Sequence, residues 1–398
     1  MKKTCPERSR RIYLDHNATT PVDKRVLDAM EPYFCEIYGN PSSIHLSGQE
    51  ARKVVEDSRR KVMNFIGADL PEEIVFTSCG TESDNFAIKG TVFASREKGN
   101  HIITSKIEHH AVLEPCEYLA KYFGFEVTYL DVDGYGIVDP ADVEKAITKK
   151  TVLISVMYAN NETGVIQPIE EIAKTAGKHN IVFHTDAVQM AGKFPIDVKK
   201  LGADLLSVSG HKMYAPKGCG FIYIKKGTKM HSLLHGGKHE KGWRAGTENV
   251  PYIAGMAKAC EIAQKNMADE TARLLKLREK LEIGVINGIE HTFLNGHPEK
   301  RLANTSNISF KYIEGEGLIL LLNKEGIEVS TGSACTSGSI GPSHVLSAMH
   351  IDPITAQGSV RFSLGHENTE KDIDRVLKVL PKIVGKLRSM SPLWSKRR

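Results

Sequence analysis

Ser207-Val208-Ser209-Gly210-His211-Lys212 closes a mostly apolar run that begins at Ala203. A short aliphatic run that stops at a polar turn reads as a buried strand. Here the turn carries a hydroxyl, an imidazole and an amine in close succession. A lysine so placed can form a Schiff base with a carbonyl when its surroundings lower its pKa. Upstream, Ile181-Val182-Phe183-His184-Thr185-Asp186 is a second apolar run, ending on an acid and followed by Gln189. Taken singly, such a lysine is most often solvated and such an aspartate most often caps a helix. Two strands that deliver an acid and an amine together point instead to a cofactor site. The fitting cofactor is pyridoxal phosphate, an electron sink whose pyridine nitrogen needs a carboxylate, here Asp186, and whose aldehyde needs a lysine, here Lys212.

The same unit recurs outward from this stretch. Ile74 to Thr77, His101 to Ser105, Val152 to Tyr158, Ile181 to Thr185 and Leu205 to Val208 read as buried strands separated by helix-length segments. That alternation predicts a mostly parallel sheet in an α/β domain. Ligands of such sheets gather beyond the carboxyl ends of the strands, so the loops there should converge. After the first run, Ser78-Cys79-Gly80-Thr81-Glu82-Ser83-Asp84-Asn85 leads small residues into a helix, with a Thr-x-x-Asp capping pattern at Thr81. Exposed N–H groups at such a helix start suit a phosphate. Glu108-His109-His110-Ala111 places an imidazole where it can lie on an aromatic ring. In Asn160-Asn161-Glu162-Thr163-Gly164 the amides are too many for a plain crossover, which makes Asn161 a candidate substrate contact.

With 398 residues the chain should hold two domains, since single cores rarely grow past about 250–300 residues. No stretch approaches the ~20 apolar residues of a membrane span. The basic first eleven residues are not followed by a signal-peptide core, so a cytoplasmic protein is expected. A net charge of +5, with Lys396-Arg397-Arg398 the only dense basic run, argues against nucleic-acid binding. Seven cysteines without paired spacing argue against a disulfide framework. Cys79, Cys219 and Cys260 have apolar or small neighbours and read as packed. Cys335 differs, because Ser330-Thr331-Gly332-Ser333-Ala334-Cys335-Thr336-Ser337-Gly338-Ser339 offers it almost only small side chains. A thiol that its neighbours cannot bury is expected to be exposed, suited to attack a ligand in one place and present the product in another. Arg361 follows Ser359-Val360 in an apolar-flanked strand, and its fork matches a carboxylate.

Between Met230 and Asn249 a loop rich in glycine and histidine carries His235, His239 and Glu240. A zinc site there is disfavoured because the glycines leave the ligands unsupported. From Ile253 to Val285 apolar residues recur at helical spacing, a bridge to a second domain. The remainder alternates strands (Asn307 to Phe310, Gly326 to Ser330, Ser359 to Ser363) with helices (Gly317 to Asn323, Asp372 to Leu387), a smaller α+β unit. The stretch Tyr13-Leu14-Asp15-His16-Asn17-Ala18-Thr19-Thr20-Pro21 is expected to pass near the site.

With these pieces assembled, the chain resembles the cysteine desulfurases of the NifS/IscS type. These are class-V aminotransferase relatives within the aspartate-aminotransferase-like fold of pyridoxal phosphate enzymes. The resemblance runs from Leu14-Asp15-His16-Asn17 to Ser391-Pro392-Leu393-Trp394. It is most specific at Ser209-Gly210-His211-Lys212, Arg244-Ala245-Gly246-Thr247 and Gly332-Ser333-Ala334-Cys335-Thr336-Ser337. It implies a large domain, residues 21–265, on a mostly parallel seven-stranded sheet. A smaller α+β domain, residues 1–20 and 266–398, would carry the cysteine loop at about 330–342. It further implies that Lys212 holds the cofactor, Asp186 pairs with the ring nitrogen, Gln189 meets the ring hydroxyl and His109 stacks on the ring. Gly80, Thr81, Ser209 and His211 would hold the phosphate, joined by Thr247 of a neighbouring subunit in a homodimer. Asn161 and Arg361 would clamp the carboxylate of L-cysteine. Cys335 would take its sulfur as a persulfide, leaving alanine, and pass it to an iron–sulfur scaffold protein or another acceptor. No metal is implied beyond Cys335 as a possible cluster ligand.

Ala215 and His366 depart from the family pattern, where glycine and arginine are common. The chain ends soon after Trp394, where some relatives carry a longer tail that docks a scaffold. Two other classes compete: a pyridoxal phosphate lyase or aminotransferase that does not use Cys335, selenocysteine lyase being the nearest, and a sulfur-carrier or cluster scaffold without catalysis. The latter predicts a damaged cofactor site, whereas Lys212, Asp186 and His109 are all present.

Overall fold

Aliphatic runs of four to six residues, bounded by polar turns and too short for buried helices, become strands. The computed structural model describes residues 11–331 and 342–395. Its strands there are β1 (Ile12–Tyr13), β2 (Ile74–Thr77), β3 (His101–Ser105), β4 (Glu126–Leu130), β5 (Thr151–Ser155), β6 (Val182–Asp186), β7 (Leu205–Ser209), β8 (Gly220–Ile224), β9 (Thr292–Asn295), β10 (Thr305–Phe310), β11 (Ile327–Glu328) and β12 (Ser359–Ser363).

Strands β2 to β8 form one sheet of seven, in the order β2-β8-β7-β6-β5-β3-β4. Strands β3 to β7 run parallel, while β8 lies antiparallel to β2 and to β7. The mostly parallel seven-stranded sheet is therefore present. Two of its members escape the strand reading for different reasons. β4 is an edge strand, half exposed at Glu126, Val127, Thr128 and Tyr129, so its sequence lacks the apolar continuity of a central strand. β8 is fully buried, but it follows β7 without the helix that strand–helix alternation leads one to expect. After β4 the chain returns to place β5 on the other side of β3. The carboxyl ends of β3 and β5 thus flank a switch point, where α/β sheets collect ligands.

Two buried clusters matter for the site. The larger surrounds the seven-stranded sheet and includes Phe183, Leu206, Val208, Met256 and Cys260. The second gathers Leu14, Leu277, Leu281, Phe310, Val360, Phe362 and Val384 around the antiparallel sheet β12-β10-β9. The helix Val250–Gly288, 39 residues and about 58 Å long, joins them. Its Val250, Ile253 and Met256 enter the first cluster, and its Leu274, Leu277, Leu281 and Val285 enter the second. Late in the chain, Val345, Leu346, Met349 and Ala356 return to the first cluster. The N-terminal stretch crosses between them: β1 pairs with β11, and Asp15 bridges to Ser363 of β12. Among the described residues no helix is long and apolar enough to cross a membrane.

Candidate active site

The carboxyl ends of β2, β3, β5, β6 and β7 open on one cavity of about 270 Å³. β7 ends at Ser209 and turns through Gly210–Lys212, a single 3-10 turn closed by Met213 N–H to Gly210 O at 2.9 Å, with Gly210 N–H bonded to Cys219 O, just before the returning β8, at 2.9 Å. The turn aims Lys212 inward. Its Nζ donates to the backbone oxygens of Asn17 at 2.6 Å and Ala18 at 2.7 Å. The N-terminal stretch is stitched to the same turn by Thr20 N–H to His211 O at 2.8 Å and by Thr19 Oγ1 with His211 Nδ1 at 3.1 Å.

Asp186 closes β6 and is 5% exposed, its Oδ1 accepting from Val188 N–H at 2.8 Å. Burial raises its carboxyl to about 6, against the opposing pull of that N–H and of the Lys212 charge. A cation in the cavity would reverse the shift. Asp84, also on the wall, is 1% exposed and pushed well above the usual carboxylate range by burial and by Asp186. Behind them Glu108, fully buried, is raised by burial to about 8 although Ser105 and Met157 N–H bond to it.

The helix Gly80–Ala94 points its N-terminus at the same cavity, but its cap differs from the one its sequence suggests. Cys79 is the cap residue, in extended backbone, and Thr81 lies already inside the first turn. Glu82 rather than Asp84 reaches back, accepting from Ser78 N–H at 2.8 Å, which leaves Asp84 free to face inward. Gly80 is required by crowding: a Cβ there would sit 2.8 Å from Val188 Cγ2 and 3.3 Å from Ser209 Cβ. Beside it the Ser209 hydroxyl is buried with no partner among the described residues, as is that of Thr185.

His109 caps the helix His110–Phe123 through Nδ1, which accepts from Ala111 N–H at 3.1 Å. That bond leaves the ring proton on Nε2. Burial, then the charges of Lys212, His110 and His344, lower its pKa to about 4, so it is neutral near pH 7. His211 is likewise lowered to about 4, by burial and by Lys212.

Across the cavity Arg361 of β12 is 2% exposed. Its Nη1 donates to Asn161 O at 3.0 Å and its Nη2 to Asp15 Oδ1 at 2.7 Å, while Nε is buried without a partner among the described residues. The Asn-rich turn is partly self-satisfied: Asn160 Oδ1 accepts from the N–H groups of Glu162 and Thr163, both at 2.9 Å. Only Asn161 of the pair lines the cavity.

The structure thus brings Lys212, Asp186, Gln189, His109, Gly80, Thr81, Ser209, His211, Asn161 and Arg361 to one cavity. Thr247 is exposed and off that wall, and Cys335 lies outside the described residues. The Gly/His loop holds no metal cluster among the described residues. Its Glu240 is buried against Arg59, at 2.6 and 2.9 Å, and its His239 Nδ1 accepts from Gly246 N–H at 3.2 Å. Asn17 and Ala18 bring the N-terminal stretch onto the wall, near the site as its sequence leads one to expect, and Asp84 joins them although its spacing from Thr81 reads as a cap.

A pyridine ring with a phosphate arm fits this donor set. Asp186 offers a buried carboxylate short of a cation, Gln189 an amide, Ser209 an unsatisfied hydroxyl beside a helix N-terminus, and Lys212 an amine.

The model of the aminotransferase class-V family matches residues 12–376. A protein named cysteine desulfurase IscS from Methanosarcina thermophila is 56% identical over 385 residues, 97% of this chain and 95% of that protein. The cysteine desulfurase NifS of Azotobacter vinelandii is 49% identical over 384 residues, 96% of this chain and 95% of its own length. A solved structure described as a NifS-like protein superposes with a TM-score of 0.89 at 43% identity, spanning 95% of this chain and all of that one.

Proposed function

The chain belongs to the aminotransferase class-V family and, within it, to the cysteine desulfurases of the NifS/IscS type, and from that premise we propose how its own residues divide the work. It is a pyridoxal-phosphate-dependent enzyme that releases sulfur from L-cysteine. The observation that carries the assignment of residues is that one cavity holds Lys212, the cation-hungry Asp186 and the open-handed Arg361 together.

When bound, the cofactor supplies an electron sink that lets the substrate α-proton leave and the C–S bond break. Asp186 would hold the ring nitrogen, Gln189 the ring oxygen, and Gly80, Thr81, Ser209 and His211 the phosphate. Lys212 would hold the cofactor through its aldehyde and, with Nζ released to the substrate, would receive the α-proton. His109, a neutral imidazole with a donor at Nε2, would lie against the ring. Arg361, with Nε still to be satisfied, and Asn161 clamp the substrate carboxylate.

Cys335 as thiolate attacks the substrate sulfur. The new S–S bond forms as C–S breaks; Cβ takes up the proton that Cys335 gave up, the α-proton held at Lys212 returns to Cα to complete alanine, and the enzyme keeps the sulfur as a persulfide. Transfer to an acceptor, in this proposal an iron–sulfur scaffold protein, resets the thiol. The exposure of Thr247, away from its own cavity, supports its serving a neighbouring subunit in a homodimer. The working units are residues 21–265 and residues 1–20 with 266–398, and the setting is the cytoplasm.

Incubation of the purified protein with L-cysteine and no added thiol tests the reading. Mass spectrometry should find a persulfide on the Cys335 peptide in an amount matching the alanine of the first turnover. Alanine with an unmodified Cys335 would instead make the enzyme a lyase.

A further inference from the structure

Behind Lys212 stands a second lysine that the chemistry above does not use. Lys193 follows Gln189 by one turn of the segment after β6, and its Nζ donates inward to Gln189 Oε1 at 2.9 Å and to Asn17 Oδ1 at 3.3 Å. Burial, then the charges of Lys212 and Arg361, lower its pKa to about 7. Such a position is costly for a cation, so its contacts are informative.

An ammonium has three donors and no acceptor. Each amide that faces it must therefore turn its oxygen toward Lys193 and its nitrogen away. Gln189 obeys, its Nε2 donating to Asn17 O at 3.0 Å, the same carbonyl that accepts from Lys212 Nζ at 2.6 Å. Asn17 obeys as well, its Nδ2 donating to Thr305 Oγ1 at 2.9 Å and to Asn161 O at 3.2 Å. The two amides are not equally dependent on the lysine. Asn17 Oδ1 has a second donor in Asn304 Nδ2 at 3.1 Å, whereas the only donor the structure gives Gln189 Oε1 is Lys193 among the described residues. The orientation of Gln189 is held from both sides, by Asn17 O at Nε2 and by Lys193 at Oε1, and only the second of these partners is a side chain that a substitution can remove.

We propose that Lys193 is a positioning residue that fixes the flip of the Gln189 amide, so that this side chain presents a hydrogen-bond donor rather than an acceptor to the ring oxygen of the cofactor. The inference rests on the pyridoxal phosphate reading given above. A donor at that oxygen favours its ionised form. The groups facing Lys193 are Lys212 and Arg361 on the cavity side, and His16, Asp23, Glu270 and His366 around the small spaces behind it.

The test is a pH titration of the visible absorption of the cofactor-loaded protein, in wild type, K193M, Q189A and the double variant. K193M should move the apparent pKa of the bound cofactor upward by about one unit. Loss of the positive charge contributes to that shift along with loss of the amide orientation, so the double-mutant cycle decides. In the Q189A background the effect of K193M should shrink to less than half. An equal shift in both backgrounds would overturn the proposal in favour of a bare charge effect, as would an unshifted K193M that folds and holds cofactor. If K193M does not retain cofactor, K193Q carries the same cycle with the same sign expected. A wild type that takes up no pyridoxal phosphate would defeat the underlying assignment instead, an outcome visible before any variant is made.

Discussion

Arg59 and Arg361 are equally buried, at 3% and 2% exposure, yet they do opposite things. Arg59 is closed. It donates to both oxygens of Glu240, to Ile74 O at 2.7 Å and to Glu56, with the Phe76 ring 5.0 Å from its guanidinium carbon. Arg361 is open: two nitrogens are held by Asn161 O and Asp15, the third has no partner among the described residues, and the side chain lines a cavity. Burial alone therefore does not mark a functional arginine. Unspent hydrogen-bonding capacity beside a space large enough for a ligand does.

The largest effect should come from breaking the closed pair. E240A strands a buried guanidinium, and such removals cost about 3–5 kcal/mol. Denaturant unfolding should show that loss, while turnover per folded molecule stays near wild type. A variant of unchanged stability and lost turnover would erase the contrast with Arg361.

R361K should do the reverse. Lysine keeps the charge but not the fork, and losing a charged hydrogen bond to a carboxylate costs about 1.5–3 kcal/mol, roughly 10- to 150-fold in the KM for L-cysteine. Substrate-saturation kinetics read this directly. A KM unchanged alongside a large fall in melting temperature would make Arg361 a second Arg59.

A smaller, pH-dependent effect should appear at Glu108, which stands between the two cases. One of its oxygens is held by Ser105 and Met157 N–H, and the other is buried without a partner among the described residues. Its pKa is raised from 4.5 to about 8 by burial. A carboxyl raised in the folded state contributes stability that is fully present below about 4.5 and is lost as pH climbs through about 8. E108Q does not titrate, so its melting temperature relative to wild type should rise between pH about 5 and about 9. A gap that stays constant or narrows would mean that Glu108 is already paired.

Much of this was legible in the chain. The turn at Ser209 to Lys212, the acid at Asp186 and the imidazole at His109 sit at strand ends that periodicity marks, and strand ends in such sheets converge. The reading of Thr81 and Asp84 as a cap failed because the cap lies two residues before Thr81, at Cys79, and Glu82 is the carboxylate that reaches back, to Ser78 N–H. Asn161, singled out in the sequence, lines the cavity, whereas its neighbour Asn160 spends its amide closing its own turn. Lys193 gave no signal at all. A lysine after a glycine looks solvated until Gln189 and Asn17 are seen to face it.

The sequence by itself determined the alternating α/β layout, the pairing of Asp186 with Lys212 and, through the resemblance, the cofactor and the reaction. These follow from local periods, turn residues and short motifs that need no partner to be read. The tertiary structure alone decided which buried polar groups are spent and which are left open. Glu240 meets Arg59 across 181 positions and Asp15 meets Arg361 across 346, separations at which no local pattern reports who pairs with whom. What remains for a ligand is the hydrogen-bonding capacity that these long-range pairings leave unused, and the folded chain alone shows that remainder.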